Sequence, residues 1–184
     1  AFDRKTEPYR KAISIAKLLL VNYHPDIVKG TENVLAIMFD MNLLWERFVY
    51  RSLQRFNRHG KTIEAQSTKD FWKPSLGAKV KIRPDIVINR NKPDCIVIDT
   101  KWKNLNGGNP SPDDLRQMYV YSVYYNACYA GLVYPGISNG NIQGNYFKID
   151  GNQSEKSCGI ITLRTEEHIS NWQRAIASMI LEVK

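Results

Sequence analysis

Hydrophobic positions recur along the chain with two periods, and the change from one to the other marks out the elements. From Pro8 to Asn22 the spacing is helical, with Thr6 as a cap, Pro8 in the first turn and His24-Pro25 as the stop. From Asp40 to Asn57 a second helix is predicted on the stripe Met41, Leu44, Trp45, Phe48, Leu53 and Phe56, with Arg47, Arg51, Arg55 and Arg58 off it. The period then falls to two. Lys61 to Thr68, Arg83 to Asn89 and Asp94 to Lys101 read as strands, the last two joined by a short turn at Arg90-Asn91-Lys92-Pro93. Asn106 to Pro110 is a loop, after which Ser111 caps a helix that has Pro112 at its first position and runs to about Asn126. Ala127 to Tyr134 reads as a strand stopped by Pro135-Gly136. Residues 139–156 are polar and Gly-rich, with a short strand at Tyr146 to Ile149, and Gly159 to Leu163 is another. A last helix starts near Thr165 and puts Ile169, Trp172, Ile176, Met179 and Ile180 on one face.

This order predicts an α/β fold: a central mixed β-sheet flanked by helices, in a single domain over residues 1–184 with a helical lead-in over 1–57. The runs Arg83 to Asn89 and Asp94 to Lys101 are apolar on both faces, as central strands covered by helices are. The longest hydrophobic stretch, Ala12 to Val21, is too short and too polar to span a membrane. Cys95, Cys128 and Cys158 form no CxxC pair, so they are expected to be reduced thiols of a cytoplasmic protein, with Cys95 and Cys128 in the core. The formal charge of +8 suits a polyanion such as nucleic acid, and equally a merely basic soluble protein.

The chemistry concentrates on the hairpin. If it is centred near Lys92, Asp85 lies opposite Asp99, and Lys101 shares the face of Asp99 by the two-residue strand period. Facing carboxylates repel, and burial sharpens the repulsion, so a compensating charge is required. Lys101 supplies one, and a Mg²⁺ ion, with Mn²⁺ as a substitute, would supply two more on Asp85, Asp99 and the Thr100 backbone carbonyl. Such an ion polarises a phosphate and activates water, and Lys101 would help position that water. The same residues also fit a turn acid and a solvated strand end. Glu46 is either a third acidic ligand or a solvated helix acid, and Gln117 and Tyr121, one helical turn apart, either face a phosphate or belong to an amphipathic helix rich in Tyr. Lys69, Lys73, Lys79, Lys81 and Arg83, with Phe71 and Trp72 among them, read as a DNA-backbone surface or as a solvated loop. Trp102 and Lys103 either touch DNA or pack. His24, His59 and His168 lack metal-ligand spacing and read as surface or capping residues.

Together these residues resemble the PD-(D/E)XK nuclease superfamily. Its motif is carried by Arg83-Pro84-Asp85 and Asp99-Thr100-Lys101, and Gln117 to Tyr121 is similar to the QxxxY element of its RecB-like branches. Residues 39–49, 83–88, 96–103 and 114–121 resemble the McrC family more closely, the nuclease subunits of McrBC modification-dependent restriction systems. The resemblance implies a restriction-endonuclease-like core and Mg²⁺-dependent cleavage of double-stranded DNA. It also implies a GTP-driven AAA+ partner like McrB, and a chain that is the C-terminal part of a longer one. No GxxxxGK[ST] phosphate loop is present, so the motor is expected on another chain. Double-strand cleavage needs two active sites, which predicts a transient homodimer. Structure-specific nucleases, resolvases and catalytically silent DNA-binding modules are the competing readings of the same core.

Overall fold

The computed structural model describes residues 10, 13, 16, 17, 40–105, 107–166 and 168–183. The chain divides into two compact units, residues 1–41 and 42–184, and the sheet lies entirely in the second. Arg10, Ile13, Ala16 and Lys17 are helical, while the rest of the helix expected at Pro8 to Asn22, and His24, lie outside the described residues.

Helix α1 spans Met41–Arg55. Strands β1 (Ile63–Ala65), β2 (Lys69–Trp72), β3 (Val80–Ile82), β4 (Ile86–Ile88) and β5 (Ile96–Thr100) follow, then α2 (Pro112–Tyr124), β6 (Tyr129–Gly136), β7 (Gly140–Phe147), β8 (Gln153–Arg164) and α3 (Ile169–Leu181). Six strands form one mixed sheet in the order β1-β4-β5-β6-β8-β7, and β2 and β3 form a separate two-stranded sheet. β5 is antiparallel to β4 and parallel to β6, so the β5–α2–β6 stretch is a crossover unit.

The predicted alternation sorts the core into two layers. Ile86, Ile88, Ile96 and Ile98 pack with Trp45, Val49 and Leu53 of α1 and Ile176 and Ile180 of α3. Val87 and Val97 point the other way, onto Met118 and Tyr121 of α2 and Tyr125 just beyond it. Period-two strands buried on both faces thus make an α/β/α sandwich. Helix α1, expected as part of a lead-in, is a core helix. Its buried positions are Trp45, Val49, Ser52 and Leu53, while Leu44 of the predicted stripe is 48% exposed. The Trp45 indole N–H also donates to the carbonyl of Val133, 3.2 Å away.

Several expectations are corrected. Pro135 does not stop its strand: β6 runs on to Gly136, pairing Pro135 with Leu163 of β8. The β5 partner ends at Thr100 opposite Val133, so no β5 acceptor faces Pro135 and its missing N–H costs nothing. The polar stretch after Ser138 forms β7 and β8, of 8 and 12 residues, rather than two short strands. β7 is an exposed edge strand and never shows the alternation that burial of one face imposes. The stretch from Lys69 to Ile82 is a hairpin, not a loop. Cys128 is exposed, and Cys95 and Cys158 are the buried thiols; all three are free. His59 and His168 are exposed, and His168 precedes α3 without a side-chain capping bond. No described helix is long and apolar enough to cross a membrane.

Candidate active site

Register decides where the acids go. Ile86 pairs with Ile98, Val87 with Val97 and Ile88 with Ile96, and one more step places Asp85 across from Asp99, as the hairpin reading expects. Asn89 (φ 51°) and Asn91 (φ 62°) take the left-handed conformation that the turn between these strands requires. The Asn89 side chain accepts from the Thr62 N–H at 2.9 Å and donates to Asp94 at 2.6 Å, which pins that turn.

Asp85 is held by the end of β5. Its Oδ2 accepts from both the backbone N–H and the hydroxyl of Thr100, each at 2.7 Å. Asp99 is 2% exposed, on the face of Val97 that looks toward α2. Its Oδ2 lies 2.7 Å from Lys101 Nζ, an ion pair, yet this buried oxygen accepts no well-aligned hydrogen bond. Burial first and the charge of Asp85 second push the Asp99 carboxyl up to about 6, against the pull of Lys101. Lys101 moves up as well: its burial works against its charge, but Asp99, Asp114 and Asp85 outweigh it.

Helix α2 supplies the other wall. Lys101 Nζ donates to Gln117 Oε1 at 3.2 Å, Gln117 Nε2 donates to the Tyr121 hydroxyl at 2.7 Å, and that hydroxyl donates to the Arg83 carbonyl at 3.2 Å. The route runs from β5 through α2 to the residues just before Asp85. Burial and nearby Asp99 and Asp85 raise the Tyr121 phenol, so it stays protonated as a donor.

Asp114 belongs to this group although the sequence reading placed it only in a helical first turn. Its Oδ2 accepts from Lys103 Nζ at 2.5 Å, and its Oδ1 lies 3.7 Å from Lys101 Nζ. Burial would raise its carboxyl, but hydrogen bonds from Lys103 and Ser111 and the charges of Lys101 and Lys103 lower it on balance. The signal available in the sequence was an acid in the first turn of the helix that carries Gln117, close after Lys101.

The remaining candidates scatter. Glu46 accepts from Gln66 Nε2 at 2.8 Å and is raised by burial and by the charge of Asp85, so it sits near the pair. It does not complete a cage: among the described residues no three His, Cys, Asp or Glu side chains converge as metal ligands. The Trp102 ring packs on Trp45 with centroids 5.7 Å apart, and Lys103 is engaged by Asp114. Lys79 is paired with Asp70 across the β2–β3 hairpin, while Lys81 and Arg83 are exposed. Lys81 and Arg83, with Arg116 of α2, line a cleft of about 680 Å³ that ends at Gln117 and Tyr121.

Asp99, buried, and Asp85, half-buried, thus face each other at the end of a hairpin in a mixed sheet, with a lysine two residues after Asp99. The family model of the McrBC 5-methylcytosine restriction system component matches residues 1–135. The chain belongs to that family. Among solved structures, it is similar to a chain in the half-complex from the tetradecameric assembly of Thermococcus gammatolerans McrB AAA+ hexamers with bound McrC. That match has a TM-score of 0.57 and 24% identity, over 98% of this chain and 40% of that one. This McrBC-family chain therefore spans about 40% of the length of that relative and shares its fold. The crystal structure of SSO0001 is matched at a TM-score of 0.41 and 17% identity, over 98% of this chain and 70% of that one. No curated protein matches.

Proposed function

We propose that this chain is the cleavage subunit of a McrBC-type restriction system: a Mg²⁺-dependent endonuclease that hydrolyses phosphodiester bonds of double-stranded DNA. A GTP-driven AAA+ subunit like McrB would bring it to DNA, and a second copy, paired transiently, would cut the other strand. The observation that carries the reading is the Asp85–Asp99 pair with Lys101 at 2.7 Å from Asp99.

The residues fit a hard divalent cation. Asp99 Oδ2 is buried, its ion pair with Lys101 makes no well-aligned hydrogen bond, and it stands beside a second carboxylate already oriented by Thr100. Two carboxylates, the Thr100 carbonyl and water form the sparse oxygen set that Mg²⁺ favours, with Glu46 as a more distant candidate. When bound, the ion supplies Lewis acidity toward the phosphate and lowers the pKa of the attacking water. Asp85 and Asp99 hold that charge in place. The Lys101 ammonium donates to Gln117, forms ion pairs with Asp99 at 2.7 Å and Asp114 at 3.7 Å, and would turn toward the attacking water or a phosphoryl oxygen. Lys81, Arg83 and Arg116 set a positive approach to the site, Trp102 and Lys103 directly follow Lys101, and Lys79 is held by Asp70 on the hairpin.

The decisive experiment compares wild type with Asp99→Ala and Lys101→Ala for plasmid cleavage with Mg²⁺, alone and with the partner and GTP. Calorimetry of Mg²⁺ and Mn²⁺ binding accompanies it. Cleavage by wild type only, with metal binding lost in Asp99→Ala, is expected. Inert wild type with no metal binding would reduce the domain to a binding or assembly module.

A further inference from the structure

We propose that the cleft between the β2–β3 hairpin and α2 is a nucleotide subsite that takes one unpaired nucleotide of the DNA strand beside the scissile phosphate. The proposal rests on the nuclease reading above and adds to it a preference for locally unpaired DNA.

The cleft combines two kinds of wall. Lys81, Arg83 and Arg116 supply three cations, and among the described residues no Asp or Glu lines it. Arg116 does pair with Asp113, but that pair is 72% and 87% exposed, where an ion pair contributes little and yields readily to a phosphate. Phe71, Ile82 and Val120 line it as well. A bare phosphate or an intact duplex backbone would use the cations and leave the apolar walls wet. A nucleotide with its base free uses both, because bases stack on aromatic rings while basic groups track the phosphates.

The Phe71 ring is prepared for that. It is 44% exposed and is backed by the Tyr124 ring, with centroids 5.3 Å apart. The hairpin that carries it is docked on the C-terminal end of α2. Lys69 Nζ donates to the Tyr124 carbonyl at 2.7 Å and lies 4.7 Å from the Tyr125 ring centroid, and the Tyr125 hydroxyl donates to the Ser67 carbonyl at 2.7 Å. A cation at a helix C-terminus is favourably placed, so the hairpin is anchored where the ring needs support.

The inner end of the cleft fixes its position relative to the chemistry. Gln117 and Tyr121 line it, and Gln117 accepts from Lys101, which touches Asp99. A strand whose phosphate sits at the acid pair therefore has its next nucleotide at the cleft. Taking a base out of a duplex costs stacking and pairing, least where the base is already unpaired.

The test is fluorescence anisotropy of labelled DNA in EDTA, so that neither metal nor cleavage enters. Probes are a single strand, a blunt duplex and the same duplex with one unpaired nucleotide, bound to wild type, Phe71→Ala, Phe71→Trp, Arg116→Ala and, as a control on α3, Arg174→Ala. Phe71→Ala should weaken the single strand and the bulged duplex at least about fivefold and spare the blunt duplex, with Phe71→Trp restoring binding. Arg116→Ala should lower the salt slope by about one on all three probes. Arg174→Ala should change nothing. Equal binding of blunt and bulged duplexes by wild type, an equal loss on both in Phe71→Ala, or no DNA binding at all overturns the subsite. A protein that binds as expected but never cleaves with Mg²⁺ would overturn the nuclease reading instead.

Discussion

Thr100 grips Asp85 twice: its backbone N–H and its hydroxyl both donate to Asp85 Oδ2 at 2.7 Å. Asp85 lies just before β4 and Thr100 ends β5, so these bonds close the open end of the hairpin where the strand ladder has run out. Thr100→Val keeps the β-branched shape and the N–H donor and removes only the hydroxyl. It should cost about 1 kcal/mol of stability, the net worth of one hydrogen bond. It should also weaken Mg²⁺ binding several-fold by calorimetry, while Thr100→Ser restores both. Unchanged metal affinity in Thr100→Val would mean that the backbone donor alone orients the carboxylate.

Asp99 gives the metal-free protein a pH dependence with a definite sign. Its carboxyl is raised to about 6 in the fold by burial and by Asp85, above the ordinary carboxylate value. A raised acid favours the fold in its protonated form. Its contribution is complete below the unfolded value near 4 and is lost as pH rises through about 6. The stability of wild type minus that of Asp99→Asn should fall by on the order of 2–3 kcal/mol between pH 4 and 7, then level off. Mg²⁺ at pH 8 should raise the melting temperature of wild type and leave Asp99→Asn nearly unmoved. A flat difference in denaturant titrations across that range would show that Asp99 is not raised.

Asp114 holds two lysines with one carboxylate, Lys103 at 2.5 Å and Lys101 at 3.7 Å. If a cation occupies Asp85 and Asp99, Asp114 is the remaining acid that keeps Lys101 aimed at the site. Asp114→Asn preserves shape, and Ser111 still caps α2 through the residue 114 N–H at 3.2 Å. The variant should therefore fold, retain DNA affinity and lose about tenfold or more in the cleavage step under single-turnover conditions. Lys103→Ala is the contrast: it frees Asp114 for Lys101 and should spare the cleavage rate. Equal losses in both variants would make the cluster a structural ion pair.

The parts of this site legible in the sequence are those built by strict periodicity. The two-residue period put Asp99 and Lys101 on one face, and the apolar runs on either side of Lys92 gave the register that brings Asp85 across. The helical period likewise put Gln117 and Tyr121 together. What escaped depends on long-range packing. Asp114 meets Lys103 across the loop after β5, and its first-turn position close after Lys101 was a weak signal that spacing alone does not turn into a contact. The β2–β3 hairpin has seven intervening residues and no buried face, so it shows neither a tight-turn signal nor alternation. β7 was hidden for the same reason, and β6 was cut short because Pro135 is a breaker only where a neighbouring strand needs its N–H.

Gln117 is a two-way link whose loss should be felt at both ends. It accepts from Lys101 at 3.2 Å and donates to the Tyr121 hydroxyl at 2.7 Å, which in turn donates to the Arg83 carbonyl at 3.2 Å. The lysine on β5 and the backbone leading into Asp85 are thereby tied to one helix, so neither moves independently of the other. Tyr121→Phe removes the hydroxyl that accepts from Gln117 and donates to the Arg83 carbonyl, so both of those bonds go, while Lys101 keeps Gln117. Gln117→Leu cuts the route at its middle and leaves Lys101 with acids alone. Each variant deletes two such bonds and should lose about 1–3 kcal/mol of stability. Their kinetics should differ: Gln117→Leu should reduce cleavage by an order of magnitude or more, whereas Tyr121→Phe should act mainly on the apparent Mg²⁺ affinity, because it loosens Asp85. Single-turnover cleavage over a Mg²⁺ titration separates the two effects. Identical Mg²⁺ midpoints for wild type and Tyr121→Phe would show that Thr100 alone orients Asp85.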